Sequence, residues 1–182
     1  PDVSNPYFAN LIRGAETYLH ENGKSALICD TNSKPEREGE YVNKLREERV
    51  DGVILVSSGE DSKQLKSLME NDIQLVAADR DPHIDRVSKV LLDNYAGGAQ
   101  VANHLLRQGY REFSFVKGPP GISTASSRYE GFEQALNNEG EELKDDLVFG
   151  GDYTYESGRS AAKRLLESVG EGSLPLGIAA AD

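Results

Sequence analysis

The apolar positions first fall on a helical beat. Phe8, Leu11, Ile12, Ala15 and Leu19 share one face, Asn5 stands where an N-cap belongs, Pro6 occupies the first turn and Gly23 the expected end. The period then switches. "SALICD" (25–30) reads as a short buried strand, "PEREGEYVNKLREERV" (35–50) as an amphipathic helix with Tyr41, Val42 and Leu45 inward, and "GVILVS" (52–57) as a second strand. The alternation continues through a helix (61–72), strands over 73–79 and 87–93, a helix (95–109), a strand (113–117), a helix (126–140), a strand (147–151), a helix (155–169) and a last strand (176–181). This pattern predicts an α/β fold of right-handed βαβ units, doubly wound about parallel sheets. One break stands out at 79–86, "DRDPHIDR", where two strands follow each other with no helix between them. Either that loop makes an unusual crossover or the second strand lies at a sheet edge. A boundary is expected just after it, dividing the chain into residues 1–93 and 94–182.

In doubly wound sheets ligands bind beyond the carboxyl ends of the strands, where helix N-termini converge. Asp30, Ser57-Ser58, Asp79-Arg80, Asp93-Asn94, the loop "KGPPGISTASSR", Asp152 with Tyr153, and Asp182 all fall at such ends. Together they suit a neutral polar ligand with several hydroxyls, with Tyr7, Phe8 or Tyr153 against an apolar ring face. Taken singly, Asp30 and Asp93 read as helix N-caps.

Composition narrows the classes. The 182 residues, 37% hydrophobic and 28% charged, describe an ordinary globular chain. A net charge of −11, from 31 acids and 20 bases, argues against a duplex-binding surface within these residues. Cys29, the single cysteine, excludes an internal disulfide and reads as a buried strand thiol. No apolar run approaches the ~20 residues of a membrane span. His20, His83 and His104 are too scattered for a triad or a metal site, and "GPPGIS" lacks the Gly-Lys-Ser/Thr of a phosphate-binding loop. No GxSxG, CxxC or HExxH occurs either. The expectation is a binding protein, with no catalytic residue, cofactor or metal.

Several segments, in this order and at these intervals, carry a resemblance: "PDVSNPYFANLIRGAE", "NSKPEREGEYVNKLREERVDGVILVSS", "VAADRDP", "VLLDNYAGGAQVANHLLRQGYREFSFVKGPP", "SSRYEGFEQAL" and "GDYTYESGRSAAKRLL". They resemble the effector-binding core of the lactose-repressor (LacI/GalR) family of bacterial transcription regulators, whose two-subdomain fold is shared with periplasmic sugar-binding proteins. The resemblance implies a small-molecule effector, a sugar above all, held between the two subdomains, and operator DNA bound through a headpiece absent from this chain. It further implies a homodimer in the cytoplasm, with no membrane partner. By position, Tyr7 and Phe8 match aromatics that face the effector, and Asn5 an asparagine that contacts sugar in binding-protein relatives. Asp79 and Arg80 match a polar pair of sugar-binding members, Thr124 and Arg128 effector-contacting positions, and Tyr153 the aromatic of a Gly-Asp-Phe segment. Asp182 matches the acid closing an Ala-Asn-Asp run, here with Ala181 in the Asn place. The alternative is a periplasmic sugar-binding protein of a transporter; the turn in "HLLRQGYREFSFV" favours the regulators.

In that fold a further strand, ahead of Pro1, lies at the centre of the first sheet. Without it the runs around Ile28 and Val53 are expected to face each other across a gap one strand wide, each buried unpaired backbone group costing about 1 to 3 kcal/mol. The expectation is therefore a chain cut at both ends.

Overall fold

Alternating apolar side chains set the first sheet. The computed structural model describes residues 2–58, 63–169 and 176–182, and the chain divides into two units, Pro1–Leu91 and Leu92–Asp182. In the first unit, strand β1 (Gly52–Leu55) pairs in parallel with β2 (Gln74–Ala78), and β2 with β3 (Ser88–Val90). Leu55, Leu75 and Ala77 pack with Val42 of helix α2 (Pro35–Glu47) and with Leu65 and Leu68 of α3 (Lys63–Glu70). Helix α1 (Pro6–Glu21) is anchored by its first turn, where Phe8 packs with Val56 and Ala78. Its end is the glycine cap the sequence predicts: Gly23 takes φ 69°, its N–H reaches the His20 carbonyl, and the Lys24 N–H reaches that of Leu19. The expected start of the third helix, at 61–62, lies outside the described residues.

The helix-free link between β2 and β3 exists, and β3 is an edge strand. A parallel crossover ordinarily takes a dozen residues or more. Here residues 79–87 suffice because Asp79, His83 and Arg86 adopt left-handed backbone, while Pro82, Ile84 and Val87 are buried beneath the loop. Lys89 on β3 stands 2.8 Å from the Asp81 carboxylate and ties the loop to its strand. Partial burial pushes the Asp81 carboxyl up, but Lys89 and the His83 N–H outweigh it, so the net shift is downward. The folded carboxyl thus titrates below its unfolded value; its contribution is complete above about pH 4 and is lost as pH falls further. Lys89→Met is expected to remove about 0.5 to 1 kcal/mol at pH 7 and almost nothing at pH 2. Urea melts at the two pH values check this.

The run 25–30 is not a strand, and the expectation fails for a physical reason. A strand needs a neighbour, and residues 24–29 have no ladder partner among the described residues. They line a hollow of about 550 Å³, together with Leu11, Ile12, Ala15 and Leu19 of α1 and the free side of β1. Leu27, Ile28 and Ile54 are all more than half exposed. Cys29 is half-buried on this wall and not in a strand; burial pushes its thiol up, against a smaller downward pull from Lys44.

The second unit is covered on both faces. Its sheet has the order β5 (Val148–Phe149), β4 (Phe113–Val116), β6 (Gly177–Ala180), all parallel. Phe113 and Phe115 on one face of β4 meet Phe132, Ala135 and Leu136 of α5 (Ser123–Asn138) and Ala102 of α4 (Asn94–Arg107). On the other face Val116 and Phe149 meet Ala161 and Leu165 of α6 (Tyr155–Val169). Ser114 is fully buried, its hydroxyl donating to the Leu147 carbonyl at 2.8 Å.

Candidate functional site

In the first unit five of the expected residues meet where α1 approaches the ends of β1 and β2. Asn5 caps α1, its Oδ1 accepting the Tyr7 N–H at 2.9 Å. The helix so started carries the Tyr7 hydroxyl to Asp79, which accepts from it at 2.9 Å. Asp79 follows β2 with φ 65°, and the Arg80 N–H donates back to the Ala78 carbonyl at 2.7 Å, a tight three-residue turn of the rarely populated left-handed kind. Such strain persists only where its surroundings over-determine it, and it gathers at functional sites. The turn sends the Arg80 side chain inward. Its Nη1 donates to the Ser57 carbonyl at 2.9 Å, its Nε lies 3.8 Å from Asp79, and its guanidinium sits 5.4 Å from the centre of the Phe8 ring. Phe8 is therefore the buried floor under Arg80, while Tyr7 remains 43% exposed. Both members of the charged pair are less than a tenth exposed.

Two residues behind this cluster carry no local signal. Glu38, buried in the first turns of α2, accepts the Ser58 N–H at 2.6 Å, and the hydroxyls of Thr31 and Ser58 lie 3.1 Å apart. The peptide whose carbonyl receives Arg80 is thus fixed from its other side by a buried carboxylate. Ser57 and Ser58 are legible in the sequence as strand-end residues, whereas Glu38 reads only as one charge on a charged helix.

In the second unit Arg128 is the best-held of the expected residues. Its Nε donates to Asn94 Oδ1 at 2.8 Å and its Nη1 to the Ala181 carbonyl. The Asn94 amide is itself turned by donation to the Leu92 carbonyl at 3.2 Å. The N-terminus of α4, the second turn of α5 and the end of β6 therefore meet at one guanidinium. Thr124 is buried in the first turn of α5; Asp182, just past Ala181, is exposed. Beside Arg128, the Lys117 ammonium lies 3.6 Å from the centre of the Tyr129 ring, and the Tyr129 hydroxyl donates to Glu133 at 2.6 Å. Burial first, then the Glu133 carboxylate, raise the Tyr129 pKa far above its usual value and keep it neutral. Tyr153 stands at the loop after β5, half-buried. Among the described residues no group of three His, Cys, Asp or Glu side chains is placed to hold a metal ion.

Residues 1–182 match the family described as periplasmic binding proteins and sugar binding domain of LacI family. The chain belongs to that family. Among curated LacI-family relatives, the ribose operon repressor of Halalkalibacterium halodurans is 32% identical over 168 residues, covering 92% of this chain and 49% of that protein. The HTH-type transcriptional regulator DegA of Bacillus subtilis is 28% identical over 170 residues, 92% of this chain and 50% of its own length. The chain thus spans about half the length of the curated relatives it matches. A solved complex of the transcriptional regulator CelR with cellobiose superposes with a TM-score of 0.82 at 29% identity, covering 90% of this chain and 50% of that one. The Cra transcriptional dual regulator of Pseudomonas putida, in complex with fructose 1-phosphate, gives 0.87 at 22% identity over 99% of this chain and 66% of its own, a likeness of fold. These relatives are regulators, which favours that reading over the transport alternative. Among the described residues no helix is long and apolar enough to cross a membrane.

Proposed function

We propose that the chain is the ligand-sensing part of a bacterial transcriptional repressor, and that its ligand is a sugar. Asn5, Tyr7, Asp79 and Arg80 of the first unit, with Phe8 as the floor beneath Arg80, and Thr124, Arg128, Tyr153 and Asp182 of the second serve as its effector residues. The whole regulator reads operator DNA through a headpiece outside these residues and works as a homodimer in the cytoplasm. A sugar that prefers one arrangement of such a protein shifts its population, and with it the affinity for DNA.

The observation that carries this reading is the strained turn at Asp79. It costs backbone energy and yields a carboxylate and a guanidinium in fixed directions beside the half-exposed Tyr7 ring, the kit that recognises vicinal hydroxyls. The likeness to a ribose operon repressor and to a cellobiose-bound regulator points to the same ligand class. Native mass spectrometry of the full-length protein purified from its host tests it. A co-purified mass of a pentose, hexose or short saccharide is expected; a bound nucleobase or peptide in its place would overturn the sugar reading.

A further inference from the structure

The loops after β4 and β5 meet along a seam of bare backbone. A Cβ on Gly118 would lie 2.5 Å from both Cζ and the hydroxyl oxygen of Tyr153, and a Cβ on Gly151 would lie 2.4 Å from the Lys117 carbonyl oxygen. The tip of the Tyr153 ring therefore rests on Gly118 at a distance that a side chain there would forbid. That end of the ring is buried, hydroxyl included. Tyr153 also has φ 64°, a conformation an aromatic residue rarely adopts unaided.

Its neighbours supply the restraint. Asp152 Oδ1 accepts from both the N–H of Thr154, at 3.0 Å, and its hydroxyl, at 2.6 Å, bridging across Tyr153. The Asp152 N–H donates in turn to the Ser157 hydroxyl at 3.2 Å, joining the loop to α6. Hydrogen bonds from Ser157 and Thr154 hold the Asp152 carboxyl below its usual range, so the bridge is in place at neutral pH.

We propose that Gly118 and Asp152 are positioning residues for Tyr153: one is the seat of its ring and the other the latch of its backbone, and together they decide which ligands can stack there. This rests on the sugar-sensing reading and adds that what Tyr153 offers a ligand is its ring, the hydroxyl end being spent on the seat.

The test is nuclear Overhauser contact between the Tyr153 ring protons and the Gly118 α protons in the full chain, with Phe113–Phe132 contacts as the core control. Strong Tyr153–Gly118 contacts are expected in the native chain and in Asp152→Asn, which keeps an acceptor. They should vanish in Asp152→Ala and weaken in Thr154→Ala, which keeps the backbone half of the bridge, while the core contacts persist. Titration with D-ribose should then show at least a tenfold loss of affinity in Asp152→Ala. Persistence of the Tyr153–Gly118 contacts in Asp152→Ala would overturn the proposal, as would loss of the core contacts in both variants, which would make the latch a matter of fold stability alone. Absence of ribose binding by the native chain counts against the ribose reading only; the proton contacts decide this one independently.

Discussion

Gly98→Ala is expected to lower the melting temperature by more than about 10 °C, while Gly97→Ala, one position along the same helix, raises it. Alanine favours a helix interior over glycine by about 1 kcal/mol, so propensity alone would make both changes stabilising. Space reverses the sign at Gly98. Its Cβ would stand 2.0 Å from the Arg128 carbonyl oxygen, and that of Gly131, on the facing helix, 2.0 Å from the Tyr95 carbonyl oxygen. The two glycines let α4 and α5 cross backbone on backbone, and no flexible side chain is there to yield. Gly97 has nothing within 4 Å. Overpacking costs typically about 1 to 3 kcal/mol, and a rigid backbone contact belongs at the upper end. At about 4 to 8 °C per kcal/mol for a unit of this size, a double-digit shift follows. Because Arg128 sits on this contact, separating the helices also pulls it from Asn94, so Gly98→Ala should weaken ligand binding as well. Calorimetric melts of the two single variants decide it; equal shifts of the same sign would contradict the crossing.

Asp79→Asn is the second large effect, at about 2 to 4 kcal/mol. The change keeps the volume and an acceptor for the Tyr7 hydroxyl but removes the carboxylate charge 3.8 Å from the buried Arg80 guanidinium, and breaking a buried charge pair from one side is costly. Tyr7→Phe removes the hydroxyl that donates to Asp79 from a half-exposed side chain and should cost only about 0.5 to 1.5 kcal/mol. The ordering is the test: urea midpoints at unchanged slope should fall much further for Asp79→Asn than for Tyr7→Phe. The reverse order would mean that Tyr7 holds the turn and that the charge pair contributes little.

Much of the fold is legible where local chemistry decides. Helix α6 starts at Tyr155 and ends at Val169, as the apolar spacing predicts, and α1 shows its cap and its terminating glycine in plain sequence. Helix α5 begins three residues earlier than predicted, because its N-cap is Ile122, which has no side-chain oxygen to announce a start. The run 25–30 carries a strand's composition, yet composition cannot supply a hydrogen-bonding neighbour. The same division holds at the candidate site. Asp79, Arg80 and Arg128 are visible as polar residues near strand ends or helix starts. That Phe8 lies beneath Arg80 instead of open to solvent, that Asn94 aims Arg128, and that Glu38 pins Ser58 depend on contacts between residues 20 to 72 apart in the chain, which no local pattern encodes.

The most direct test of the sugar-sensing account is calorimetric titration of the full chain with a panel of pentoses and hexoses headed by D-ribose, repeated on Arg128→Ala and Arg80→Ala. Saturable binding of at least one sugar to the native chain, weakened about a hundredfold or more in each variant while both still melt cooperatively, is the predicted result. Undiminished affinity in either variant, or no binding of any sugar by the native chain, would contradict the account.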